Sequence, residues 1–161
     1  MKKHIWNRKG EKTKKPLHYP DCGLDDIYLA SGYEIVETPY GDGIVVKNLD
    51  DLHNAIGFYL ATSKKALNGK ELRFLRKHMD LTQSELGKLL GLSSQQVARW
   101  EKGQSEISGP AQHLLRVLFI QHKGKRINIP MLLKALDEQD ESVDKAQMFE
   151  IISGRWTQKA A

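Results

Sequence analysis

From Asn68 onward the chain alternates between apolar residues at helical spacing and short polar breaks. Three of the breaks share one form: Asn68-Gly-Lys-Glu71, Thr82-Gln-Ser-Glu85 and Ser93-Ser-Gln-Gln96. Each sets a small polar side chain where it can cap a helix, and three residues later a Glu or Gln that can bond back to it. Three in succession, each opening an apolar helical pattern, predict helices over 69–79, 83–90 and 94–102. Gly91 and Gly103 fall where helices end in a left-handed residue. Pro110 opens a fourth predicted helix, 110–122, expected to bury Leu114, Leu115, Val117, Leu118 and Ile120. Lys123-Gly-Lys-Arg126 then reads as a basic turn. Pro130–Asp137 reads as a short helix carrying Met131, Leu132, Leu133 and Leu136, and 137–144 as an acidic linker. Met148–Trp156 reads as a strand that docks on the body.

Upstream the pattern changes. Ile27-Tyr28-Leu29 and Tyr33–Val36 are short β-branched and aromatic runs. Pro39-Tyr40-Gly41-Asp42-Gly43 is dense in turn residues, and Ile44-Val45-Val46 follows it. A small antiparallel sheet or hairpin is expected over 20–47. Asn48 is placed to cap a helix running to about Thr62, with Leu49, Leu52, Ile56, Tyr59 and Leu60 on one face. The fold class is therefore α+β: a small N-terminal β-module followed by an all-α bundle. The expected segments are a flexible basic arm (1–16), a β-module with its helix (17–66), a helix-turn-helix domain (67–122) and a C-terminal extension (123–161).

Charge sharpens this division. Residues 1–16 carry seven Lys/Arg against one Glu, whereas 17–66 carry three against eight Asp and Glu. The net charge of the whole chain is +5. Nucleic acid at one surface and a different partner at another is compatible with that asymmetry. Apolar residues make up 40%, enough for a core, and no apolar run approaches the roughly 20 residues that span a bilayer. A cytoplasmic protein without membrane partners is expected.

The stretch Leu81–Gly103 carries the chemistry. Leu86, Leu89 and Leu90 on the first helix are expected to meet Val97 and Trp100 on the second. Gly91 makes the turn and Leu92 fills the gap between the helices. Such packing holds the second helix clear of the body, where it can enter a major groove. Gln95 and Arg99 lie four apart on one face, flanked by Ser94 and Ala98, while Val97 and Trp100 point inward. Arg can grip guanine with two hydrogen bonds, and Gln can do so with adenine.

Leu81–Gly103, with Arg73–Met79 before it and Pro110–Phe119 after it, resembles the Cro/phage-repressor (XRE-type) helix-turn-helix family. Thr82-Gln83 with Glu85-Leu86, and Arg99-Trp100-Glu101-Lys102-Gly103, carry the resemblance most specifically. It implies a bundle of about five helices and a homodimer on a palindromic operator in double-stranded DNA. It also implies base reading by Ser94, Gln95 and Arg99. Backbone contact would come from Thr82, Gln83, Ser93, Lys102, Gln104 and Ser105. The order of β-module, helix, Glu71–Lys77 and helix-turn-helix is in addition similar to MqsA-type antitoxins, in which an N-terminal zinc module contacts a toxin. Those modules use two Cys-x-x-Cys pairs. Here Tyr19-Pro-Asp-Cys22 retains one cysteine, the only one in the chain.

One cysteine supplies neither an internal disulfide nor a four-cysteine zinc site. The six histidines show no metal-ligand spacing. No cofactor or metal is expected. No nucleophile, base and orienting group assemble, so an enzyme is not expected. The reading is a sequence-specific DNA-binding transcriptional regulator, a dimeric repressor acting through helix 94–102. The alternative is an antitoxin that neutralises a protein partner at 17–66 and represses its own operon.

Overall fold

The computed structural model describes residues 16–139 and 146–159. The basic arm over 1–15 and most of the acidic linker lie outside them. The described chain forms six strands, one 3-10 turn at Pro20–Cys22 and six α-helices, an α+β fold with the β-module first. It divides into two compact units. One holds the described residues up to Ala55 and those from 146 onward; the other runs from Ile56 to the end of the helices.

The first unit is built on a four-stranded sheet. Its strands are β1 (Leu17–His18), β2 (Ile27–Leu29), β5 (Gln147–Ile152) and β6 (Arg155–Lys159), in that order. β2 and β5 run parallel, with Ile27 beside Gln147 and Leu29 beside Phe149; the other pairs are antiparallel. Ile27, Leu29 and Phe149 are fully buried. Trp156 is fixed twice, its backbone N–H donating to Asp51 Oδ2 (2.8 Å) and its indole N–H to the Lys47 carbonyl (2.7 Å).

Residues 147–159 thus complete the N-terminal sheet and are not the tail of a separate extension. The physical reason is β2. It is three residues long and buried, and the two-residue β1 leaves its other edge to be paired. A partner about 120 residues away in sequence leaves no trace in local periodicity.

β3 (Tyr33–Thr38) and β4 (Gly41–Val46) form a second, two-stranded sheet. Thr38 pairs with Gly41, so the turn is Pro39-Tyr40 alone, and Gly41-Asp42-Gly43 extends β4 instead of belonging to the turn. Asn48 departs from its expected role as well. It adopts φ +46° and its side-chain amide donates to the Gly154 carbonyl (3.2 Å).

The helical α1 (Leu49–Thr62) leads into the second unit. Its face is Leu52, Ile56 and Leu60; Leu49 is exposed. α2 (Gly69–His78), α3 (Gln83–Leu90), α4 (Ser94–Glu101), α5 (Gly109–His122) and α6 (Ile129–Asp137) follow, within a residue or so of the sequence expectation. Leu72, Leu75, Leu86, Val97, Leu115 and Phe119 are fully buried. Leu114, expected inside, is exposed, because one helix turns only about a third of its circumference toward the core. Arg116 takes a place that an apolar side chain would normally hold. It is fully buried, and its guanidinium donates to the carbonyls of Leu60 (2.5 Å) and Lys65 (2.9 Å). It thereby satisfies the Leu60 carbonyl in the last turn of α1 and the Lys65 carbonyl in the loop that follows.

Candidate nucleic-acid interface

The helix-turn-helix is α3, a three-residue turn and α4. Gly91 ends α3 at φ +72°, a left-handed conformation open to glycine at little cost. Gly87 permits the close approach of the turn, since a Cβ there would lie 2.7 Å from the Leu92 carbonyl oxygen. Leu86, Val97 and Trp100 form the buried contact between the helices as expected. Leu89 and Leu92 do not join it; they are exposed. Leu92 contributes through its backbone, its N–H donating to the Gly87 carbonyl (2.7 Å).

The three polar breaks all cap helices, but only one forms the reciprocal box. Thr82 Oγ1 accepts from the Glu85 N–H (3.1 Å), and Glu85 accepts from the Thr82 N–H (2.7 Å). It is mainly the hydrogen bond from the Thr82 N–H that holds the Glu85 carboxyl below the usual carboxylate range. In the other two, the fourth residue is used elsewhere. Glu71 is buried and pairs with Lys64 (2.6 Å), and Gln96 donates to Ser105 Oγ (3.2 Å).

α2 is tied to the end of α4 by one ion pair. Arg76 donates through Nε to Glu101 Oε1 (2.5 Å) and through Nη2 to Oε2 (3.2 Å). Its Nη1 donates to the Leu81 carbonyl at the entry to α3 (2.8 Å). Both side chains are nearly buried, at 11% and 6% exposure. Gln83 closes the cluster by donating to Glu101 Oε2 (2.8 Å). One carboxylate thus fixes the start of α3, the end of α4 and the inner face of α2. A two-point Arg–carboxylate contact sets orientation as well as distance.

On this frame the residues singled out from sequence are distributed as follows. Ser94, Gln95 and Arg99 are exposed along α4, opposite buried Val97 and Trp100. Thr82 and Ser93 are the cap residues of α3 and α4; the Ser93 hydroxyl accepts from the Gln96 N–H (3.2 Å). Lys102 caps the end of α4, and Gln104 and Ser105 lie exposed in the loop after it. Gln83 alone is half-buried, with its amide engaged by Glu101. Among the described residues Arg99 and Lys102 make no ion pair. Sequence reading missed the Arg76–Glu101 clamp and the Gln96–Ser105 tie. Neither has a local signal, since the partners are 25 and 9 residues apart.

Residues 72–110 match the helix-turn-helix family model, which spans α2 through the start of α5. This segment is therefore an XRE-type helix-turn-helix, the DNA-binding part of a regulator. Neither the curated proteins nor the solved structures give a match to the chain. Among the described residues no helix is long and apolar enough to cross a membrane, and no group of three or more His, Cys, Asp or Glu is placed to hold a metal ion. Cys22 is half-buried, its thiol donating to the Tyr19 carbonyl (3.3 Å), and burial raises its pKa.

Proposed function

We propose that the chain is a sequence-specific transcriptional repressor that binds duplex DNA as a homodimer, with α4 of each subunit in a major groove. One observation carries this. α4 presents Ser94, Gln95 and Arg99 to solvent in a row, while its opposite face and its C-terminus are locked by Val97, Trp100 and the Arg76–Glu101 pair. A reading helix needs that combination of free polar side chains on a fixed backbone.

In this reading Arg99 and Gln95 read base edges, with Ser94 at the N-terminal end of the helix. Thr82 and Ser93, at helix N-termini, meet phosphates through hydroxyls and backbone N–H groups. Lys102, Gln104 and Ser105 follow the backbone past the groove. Gln83 has a second amide proton for a phosphate while its first stays on Glu101. Two copies place two such helices on half-sites about 10 bp apart or a multiple of that. Selection of bound DNA from a random pool, with sedimentation of the complex, tests the proposal. An inverted-repeat consensus bound by two chains is the expected result. No enriched sequence, or one chain per site, overturns it.

A second reading, neutralisation of a protein partner by the β-module, draws on the excess of eight acidic over three basic residues in 17–66. A small basic protein encoded beside this chain that co-purifies with it is the result expected there.

A further inference from the structure

The β3–β4 hairpin is unlike the rest of its unit. Ile27, Leu29 and Phe149 of the larger sheet are fully buried, whereas the hairpin exposes β-branched residues on both of its faces. Ile44 (39%) lies on one face, and Val36 (36%) and Val45 (50%) lie on the other. Tyr40, at the turn, is 100% exposed. A two-stranded ribbon without further packing is marginal in water, and apolar exposure on two faces adds to that cost.

The charges compound the anomaly. Between Tyr33 and Val46 there are three acidic residues and no Lys or Arg. Glu37 and Asp42 are directly paired across the strands. Like charges in that position are destabilising. Glu34 has Lys47 at 4.0 Å, at the base of the hairpin; Glu37 and Asp42 sit at the other end, beside Tyr40. The fold gains nothing from two carboxylates facing each other next to a bare aromatic ring.

We propose that the outer half of the β3–β4 hairpin is a docking surface for a basic protein. Tyr40 seats in an apolar pocket of that partner, Ile44, next along the face that carries Glu37 and Asp42, covers apolar surface beside it, and a Lys or Arg of the partner lies between the two carboxylates. Charge complementarity selects this occupant. DNA is repelled by the same carboxylates, and a second hairpin would bring four acids together. A fully exposed Tyr at the tip of the hairpin, beside two carboxylates, is available as the aromatic anchor of an interface. The inference rests on the second reading above and is independent of the DNA-reading face.

A random peptide library displayed on phage, selected against the full chain, supplies the probe. The expected peptides combine Lys or Arg with aliphatic or aromatic residues and bind more weakly as salt is raised. Tyr40→Ala and the double change Glu37→Lys with Asp42→Lys should each weaken the selected peptides by about tenfold or more. Thermal melting confirms that the variants fold, as these side chains are exposed. Binding to selected DNA, measured in the same variants, should be unchanged, which separates failure here from failure of the repressor reading. Absence of enriched peptides, or peptides that bind both variants like the parent, overturns the proposal. So does a dimer of the chain itself that Tyr40→Ala dissociates, since the occupant is then a second copy.

Discussion

The Arg76 guanidinium holds both oxygens of the Glu101 carboxylate, joining α2 to the last turn of α4. Removing one partner leaves the other charged and nearly without water. Arg76→Ala should therefore lower unfolding stability by about 3–5 kcal/mol, measured by urea titration. Changing both, Arg76→Met with Glu101→Leu, should recover much of that loss. The double variant should still bind DNA more weakly than the parent, because Gln83 and the end of α4 lose their common acceptor.

Arg99 is the most exposed test of the reading face. Loss of a two-point Arg–guanine contact is worth about 1–3 kcal/mol. Arg99→Ala should cost roughly tenfold to a hundredfold in operator affinity and relax preference at one base pair per half-site. Sequence selection repeated with the variant is the measurement. An unchanged consensus would place the reading face elsewhere.

Gln83→Ala should differ in kind. Gln83 sits at the first position of α3, bonded to Glu101, on a different helix from exposed Ser94, Gln95 and Arg99. All sites should weaken alike, with the consensus preserved, when binding is compared across a panel of sequences.

Phe149→Ala should destabilise the β unit by about 3–5 kcal/mol, since the ring is fully buried. Hydrogen exchange should show the loss in β2, its parallel neighbour. If β2 protection is unaffected, the two strands do not share a core.

A pH effect belongs to the same unit. Burial holds the His53 imidazole below its ordinary pKa, and its Nε2 lies 3.4 Å from the Tyr19 hydroxyl. The unfolded chain therefore takes up this proton at higher pH than the folded one. Stability should fall as pH drops below about 6.5, toward the depressed folded value, and should level off beneath it. Urea titrations at several pH values check this; His53→Asn should remove the component.

Much of the helical unit was legible because caps and apolar spacing are local. Asn68, Thr82 and Ser93 each cap the helix they were expected to open, and Gly91 and Gly103 take the left-handed conformation. The placing of Ser94, Gln95 and Arg99 on an exposed face followed from the same spacing. What stayed hidden was non-local. The burial of Arg116 has no local signal, because the carbonyls that accept from it lie more than fifty residues earlier. Leu89 and Leu92 read as core and are exposed, because the turn is packed through the Gly87 and Leu92 backbones. The pairing of β2 with β5 could be inferred from neither strand alone.

That pairing also orders the birth of the molecule. On the ribosome, β2 emerges long before β5, and everything from α1 to α6 is made in between. The helical unit carries its own buried core and can form while the β-module still lacks half its main sheet. Non-local strand pairing is in any case the slow step. A nascent or prematurely terminated chain therefore holds a finished helix-turn-helix while its β-module is unfinished. Strands made much later decide whether β2 has a full sheet to belong to.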